Sequence, residues 1–371
     1  MEPISDLIQS TRTWLNSLFE RQPGLNRIRK EFSKYMADCG ADENNPRIVT
    51  GHQPVIYYPG LLFKDFFVGE AARMHGGSAW NFIVDTDLAD MEVPVPWYAH
   101  QTFQKSYLAL PNEQKQTFSR FEPSREETDN FLESIGEHVA TLPKKEIDKA
   151  FRSWKKSFYN TLEIKEGLVD ALTSMRKKFD LSLGYKIHDP LISNLVHSHA
   201  YWHYIRYLIQ NLDSYTTAYN RAVDKGRNGD YQPVKFLHRQ DGWYELPLWM
   251  EREGKRLPVW LKKEESSLTF RAGEGSSDIV VDISHKEESS IIEELRDKMV
   301  LYPKATTLTQ ILRLFISDVF VHGSGAVEYE KINNLFMKEF FGMDQKLPFY
   351  SVTGNIYLPL EKDLPGLGEL Q

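Results

Sequence analysis

Apolar positions along the chain switch between two periods, and the switches mark the elements. Ile4, Leu7, Ile8, Leu15 and Leu18 recur at helical spacing, and a second helical run reaches Met36 beyond Pro23-Gly24, so residues 4–38 are expected to form one or two helices. After the Asn44-Asn45-Pro46 loop, Arg47-Ile48-Val49-Thr50 is a compact β-branched run that suits a buried parallel strand. Gly60 to Met74 returns to the helical period, and Gly76-Gly77 leads into a second strand, Trp80 to Val84. Strand, loop, helix and strand in that order begin a βαβ unit.

Residues 123–213 read as mostly helical, with a break near Asp189-Pro190. Within them Leu191 to Leu212 is expected as one helix, whose band of Tyr201, Trp202, Tyr204 and Tyr207 is either a core face, the simpler reading, or a stacking platform. Four β-rich pieces follow, at Trp243 to Trp249, Leu257 to Leu261, Leu268 to Arg271 and Ile279 to Ile283, separated by turn residues such as Gly254 and Gly273. Glu287 to Met299 is again helical. Leu308, Ile311, Leu312, Phe315, Ile316 and Val319 make an apolar stripe that predicts a helix from Leu308 to Val321, running straight into His322-Gly323-Ser324-Gly325. A last helix is expected over Tyr329 to Phe341.

The sum is an α/β fold with a parallel-sheet core, helical insertions and a small β-rich insertion. Its expected divisions are an N-terminal helical segment (1–45), the first half of the core (46–122), a helical insertion (123–215), a β-rich segment (216–283) and the C-terminal part of the core with the last helices (284–371).

A length of 371 residues allows one large domain or two, and 41% apolar with 26% charged residues is an ordinary folded composition. The net charge of −7, with Lys and Arg spread along the chain, argues against general nucleic-acid binding. The first eighteen residues lack the basic start and apolar centre of a secretory signal, and no stretch approaches a membrane span. Cys39 is the single cysteine, which excludes an internal disulfide and a cysteine-rich zinc site; the cytoplasm is the expected compartment.

Three segments could carry chemistry. Thr50-Gly51-His52-Gln53-Pro54 follows the first strand, where exposed backbone N–H groups and the dipole of the next helix favour an anion; the same residues also fit a plain turn with His52 on a carbonyl. Neither a Walker loop nor a G-x-G-x-x-G is present. Asp85, Asp87, Asp90 and Glu92 cluster after the second strand, either around a cation or substrate amine, Mg²⁺ being a natural occupant, or as a solvated loop. In an extended chain Asp85 and Asp87 would point to one side. In His322-Gly323-Ser324-Gly325 the glycines would permit positive φ and close approach to a ligand, or simply end a helix; Glu328 and Tyr329 follow toward the same cleft. Ser324 lacks the flanks of a nucleophile elbow. His199 and His203, at i, i+4, lack the adjacent Glu and third ligand of a zinc site.

Taken together these segments resemble the BshC family, to which the cysteine-adding step of bacillithiol synthesis is assigned, over most of residues 45–360. Arg47-Ile-Val-Thr-Gly-His-Gln53 is similar to the family's strand ending in Thr-Gly-Gln-Gln, and Gly60-Leu-Leu-Phe-Lys64 to the helix start after it. Phe82-Ile-Val-Asp-Thr-Asp87 with Glu92 resembles its acidic segment, and Val321-His-Gly-Ser-Gly-Ala-Val-Glu-Tyr329 its Val-Gly-Gly-Pro-Gly-Glu-Ile-Ala-Tyr. Pro303 to Tyr329, and Tyr219-Asn220 with Glu245-Leu-Pro-Leu-Trp249, match best the shorter bacterial relatives that lack the C-terminal coiled coil. The resemblance implies a Rossmann-like core of the HUP type and an ATP-dependent ligase joining an amino acid, cysteine in the family, to a small amine such as a glucosamine conjugate. It implies that Thr50, Gly51, Gln53, Gly60 and Lys64 hold ATP, and that His52 polarises while Asp85 and Asp87 orient the amine or hold Mg²⁺. His322, Gly323, Ser324, Gly325, Glu328 and Tyr329 would line the substrate. The alternatives are a nucleotidyl or sugar-nucleotide transferase of the same fold and a non-catalytic relative that binds a small ligand. Small molecules, not nucleic acid or membrane, are the expected partners.

Overall fold

A computed structural model of the chain describes residues 4–164, 167–226, 234–273 and 277–357. In chain order, α1 (Ile4–Arg21) and α2 (Pro23–Asp38) precede β1 (Arg47–His52), α3 (Pro59–Met74) and β2 (Ser78–Ile83). A hairpin of β3 (Met91–Ala99) and β4 (Thr102–Leu110) follows, then α4 (Arg125–Ala140), α5 (Lys145–Ile164) and α6 (Leu168–Ser182). The short β5 (Ile187–His188) leads to α7 (Ile192–Val196), α8 (His199–Gln210) and α9 (Leu212–Lys225). Next come β6 (Arg239–Gln240), β7 (Trp243–Arg252), β8 (Lys255–Lys263), β9 (Ser267–Ala272) and β10 (Ile279–Asp282). The last described elements are α10 (Glu288–Lys298), β11 (Leu301–Pro303), α11 (Ala305–Ile311), β12 (Val319–His322), α12 (Val327–Phe340) and β13 (Phe349–Ser351). The mixed α/β class is therefore as expected. Residues 358–371, inside the expected segment 284–371, lie outside the described residues.

The elements fall into two compact units. One takes the chain up to His52, Gly60–Val84 and Tyr185–Thr353; the other takes Gln53–Pro59 and Asp85–Gly184. The divisions expected from the sequence lie at 45, 122, 215 and 283.

The first unit is built on a five-stranded parallel sheet in the order β13-β12-β1-β2-β5. Its central strands are apolar in both directions because both faces are covered. Ile48, Ala79, Val319 and Val321 pack with Val68, Ala71 and Ala72 of α3 and with Leu7 and Ile8 of α1. Val49, Trp80, Phe82 and Phe320 share the larger core with α2, α8 and α12. From β1 the chain moves outward to β2 and β5, then returns on the other side of β1 to form β12 and β13. The direction of winding thus reverses between β1 and β12. The β-rich segment forms a second sheet of the same unit, antiparallel in the order β10-β9-β8-β7-β11 with β6 on β7, as the meander pattern predicted.

The second unit has its own core, in which Met91, Val95 and Leu110 of the hairpin meet Phe131, Ile135, Phe158 and Leu172 of α4, α5 and α6. Ser124 caps α4 in a reciprocal capping box with Glu127. The hairpin was not anticipated; Pro94 and Pro96 inside β3 weaken its strand pattern.

Two helix assignments need correction. The expected helix Leu191 to Leu212 is α7 and α8, separated at His197-Ser198, where the Ser198 hydroxyl accepts the Tyr201 N–H. Its aromatic band is core: Tyr201, Trp202 and Tyr204 are all at most 1% exposed. The expected helix Leu308 to Val321 is α11 extended by a π turn, Leu312–Ile316, after which the chain straightens into β12. Asp318 makes the break. Its N–H donates to the Arg47 carbonyl at 3.0 Å, and its carboxylate accepts the Arg47 N–H at 2.8 Å and the Arg12 guanidinium at 2.7 and 3.0 Å. These bonds dock β12 beside β1. Among the described residues no helix is long and apolar enough to cross a membrane.

Asp318→Ala removes three acceptor contacts and leaves the Arg12 and Arg47 donors without them. It should lower the stability of the first unit by roughly 3 kcal/mol, read as an earlier urea midpoint at unchanged slope.

Candidate functional site

In an open parallel sheet the loops at the carboxyl ends diverge where the winding reverses, and the gap between them is where ligands bind. Here that point lies between β1 and β12, so the two flanking loops begin at Gly51-His52 and at His322-Gly323. The correction of residues 319–321 from helix to strand creates this site, because it turns the glycine segment from a helix end into a strand-end loop.

On the β1 side, Thr50 is fully buried and its hydroxyl donates to the Val321 carbonyl at 2.8 Å, tying the two strands together. Gly51 lies so close to β2 that a Cβ there would stand 3.1 Å from the Phe82 carbonyl oxygen. His52 is buried, and its Nε2 sits 3.5 Å from an oxygen of the wholly buried Asp65 on α3. Gly60 is the second residue of α3, and Lys64 lies one turn further on. Lys64 is 4% exposed, and its ammonium donates to the Gly51 carbonyl at 3.2 Å. Burial pushes its pKa down to about 8, against the opposing pull of Asp65.

On the β12 side, His322 is buried with Nε2 3.0 Å from an oxygen of Glu330 on α12, and its ring stands edge-on to Phe320, Tyr329 and Phe349. Burial lowers its pKa, Glu330 opposes this, and the positive charges of Arg313 and Lys64 lower it further. Gly323 approaches the Lys64 stem, a Cβ there meeting Lys64 Cδ at 4.0 Å. Ser324 and Gly325 are exposed in a single 3₁₀ turn that starts α12. Neither Gly323 nor Gly325 has positive φ. The expected use of these glycines for a left-handed turn is thus replaced by openness: no heavy atom within 4 Å would meet a Cβ at Gly325. Glu328 is half-exposed and pairs with Lys331 at 2.6 Å. Tyr329 has its pKa raised by burial and by Glu330.

Thr50, Gly51, Lys64, His322 and Gly323 therefore converge in the first unit. Asp65, Glu330 and Arg313 were missed. Their signal is a charge inside an apolar stripe: Arg313 falls within the Leu308 to Val319 run, and Glu330 takes a core-facing position of α12.

Gln53, Asp85 and Asp87 belong to the second unit. The Gln53 amide donates to one oxygen of Asp87 at 2.8 Å, and the Leu88 N–H to the other at 2.9 Å. Asp85 is buried, and its carbonyl accepts the Ser119 N–H at 2.8 Å. Residues 85–87 form a turn and not an extended segment, so alternation along a strand does not describe Asp85 and Asp87. Among the described residues no group of three or more His, Cys, Asp or Glu side chains is arranged to hold a metal ion. His199 faces Arg296, with Nε2 2.9 Å from a guanidinium nitrogen.

What fold and site define together is a parallel α/β protein with a buried lysine and a buried histidine at its strand-end switch point. No family model matches the chain, and no curated protein shows a significant match to it.

Lys64 gives the site a measurable pH signature. The unfolded chain keeps this lysine charged up to its ordinary 10.5, the folded chain only to about 8. Stability should thus rise as pH increases from 8 to 10.5, by roughly 3 kcal/mol in full. In Lys64→Met, urea titrations across this range should lose that rise, and the variant should be more stable than the parent at pH 7.

Proposed function

We propose that this chain is a BshC-like, ATP-dependent ligase on a Rossmann-like core of the HUP type, joining an amino acid to a small amine. The observation that supports the reading is Lys64, a nearly fully buried ammonium at the carboxyl ends of the two strands where the winding reverses. A cation held there against its own desolvation is compensated best by an anion, and the oxygens of a phosphoryl or carboxyl group have the right size and charge. Gly323 borders it without a side chain, which leaves backbone within reach of a ligand, and Gly51 holds the lysine through its carbonyl.

In this reading the amino acid supplies the acyl group, and ATP would activate its carboxylate as an acyl phosphate or acyl adenylate with loss of ADP or pyrophosphate, so that the amine displaces phosphate or AMP. Lys64 neutralises charge that builds on the phosphate as the acyl group is transferred, an interaction worth most where water is excluded. Thr50, by tying β1 to β12, keeps the two halves of the cradle in register, and Gly60 lies in the first turn of the helix that carries the lysine. His52 is held by Asp65 and orients the Gly51 loop in preference to meeting substrate. Ser324, Gly325, Glu328 and Tyr329 border the opening and fit the part of the substrate that does not react. Asp85 and Asp87 are the residues that would hold Mg²⁺, but both oxygens of Asp87 already accept N–H groups, so no step is assigned to the metal.

The test is release of pyrophosphate or ADP from MgATP with each proteinogenic amino acid, cysteine first, in the presence and absence of a glucosamine conjugate. Stimulated release with one amino acid is expected, and Lys64→Met should lower kcat/KM about 100-fold. Folded protein that releases neither product under any combination sinks the ligase reading. Pyrophosphate release coupled to transfer onto a sugar phosphate would replace it by the transferase.

A further inference from the structure

Behind His322 lies a buried group of charges that neither the strand-end cradle nor its lysine explains. Glu330 is wholly buried on α12, and Arg313, 2% exposed, comes from the π turn to meet one of its oxygens. The same guanidinium donates to the Asn334 side chain at 2.8 Å and to the Leu347 carbonyl, and stands 5.1 Å from the Phe349 ring centre. Asn333 donates to Thr309 at 2.9 Å and reaches the Arg-bound oxygen of Glu330 at 3.4 Å. The other Glu330 oxygen faces His322 Nε2 at 3.0 Å, out of line for a straight hydrogen bond.

A buried Arg–Glu pair is weak evidence of stabilisation, because removing two ions from water costs about as much as their attraction returns. This pair has a second effect. A lone pair on Nε2 would confront a carboxylate oxygen at 3.0 Å, which is repulsive, so the ring carries its proton there. Full protonation of the ring is disfavoured as well, by burial and by the positive charges of Arg313 and of Lys64 on α3. The groups around the ring are then accounted for: Glu330 and Tyr329 on α12, Arg313 on the π turn, Lys64 on α3, and the aromatic rings of Phe320 and Phe349. Among the described residues Nδ1 makes no hydrogen bond, whereas Nε2 faces the Glu330 oxygen.

We infer that Glu330 and Arg313 are positioning residues that hold His322 as the neutral Nε2–H tautomer, with Nδ1 left as a proton acceptor at the carboxyl end of β12. The carboxylate selects which nitrogen is protonated, and the guanidinium cancels its charge so that the ring stays neutral. The division of labour is that of a carboxylate that orients a catalytic imidazole without taking its proton. Its use rests on the strand ends being the site, as proposed above. There the Nδ1 lone pair would receive a proton from the attacking amine as its nitrogen bonds to the acyl carbon and the phosphate leaves.

The inference is tested on the full chain labelled with ¹⁵N-histidine, by long-range ¹H–¹⁵N correlation of the imidazole rings, with His322 assigned by its loss in His322→Gln. The expected result is a neutral Nε2–H ring at pH 7 that titrates below 6.5. An Nδ1–H ring, or an imidazolium at pH 7, overturns the proposal. Two variants must then move the titration in opposite directions. Arg313→Met leaves Glu330 uncompensated and raises the midpoint above that of the parent, whereas Glu330→Gln lowers it and lets both tautomers appear. Arg313→Lys keeps the charge and should restore the parent behaviour. Midpoints that do not move, or that move together, overturn it too, and if Arg313→Met does not fold, Glu330→Gln and the parent protein still decide. The expected tautomer without any ATP-dependent chemistry would sink the ligase reading and leave this inference standing.

Discussion

Asp318 is the residue on which the arrangement of the first unit turns. Its carboxylate gathers the Arg47 backbone N–H and the Arg12 guanidinium, and its own N–H reaches the Arg47 carbonyl. These contacts convert a helical run into β12 and set that strand parallel to β1. With β12 in place, Thr50 can bond to Val321, the winding of the sheet reverses between β1 and β12, and α3 and α12 begin from opposite sides of one gap. Without them the stripe from Leu308 onward has every local reason to continue as helix.

The two ends of the central strands carry buried charge of different kinds. At the amino end, Arg12 and Asp318 match each other in a bidentate pair, which is an arrangement complete in itself. At the carboxyl end, Lys64 is a buried cation whose pKa is pushed down to about 8 by burial, and His322, its pKa lowered by burial, lies beside a Glu330 paired with Arg313. A core of this size could be filled with leucine at lower cost. Retaining titratable groups there makes sense for a site where protons or anions are handled, and perturbed groups gathered in one place are a physical sign of such a site.

Much of this was legible in the chain. Val49, Gly51 and the helix from Gly60 to Met74 are specified within a few residues of themselves, by β-branching, glycine and periodicity, and the structure has them nearly where the pattern put them. The β12 segment was not, because the partners that stop the helix, Arg12 and Arg47, lie 306 and 271 residues away in sequence. No local window contains that information. The same holds for the candidate site: Thr50, Gly51, Lys64, His322 and Gly323 were nominated and do converge, but Glu330 and Arg313 read as ordinary helix charges until α12 and the π turn are folded against β12. Gln53, Asp85 and Asp87 were nominated with them and fall in the other unit, where Asp87 is tied to Gln53 and Leu88.

The π turn carries a consequence of its own. Its Ser317 N–H donates to the Leu312 carbonyl, five residues back, so the turn holds one residue more than an α-helical turn would. Each residue of an α-helix advances the chain by about 100° around the axis. Deleting a single residue between Leu312 and Ile316 would therefore leave a regular helix and yet bring everything after it out of phase. Arg313 and Asp318 would no longer face Glu330 and Arg47 together. The extra residue acts as a phase adjuster, letting a side chain of the π turn meet Glu330 while Asp318, just beyond the turn, meets Arg47.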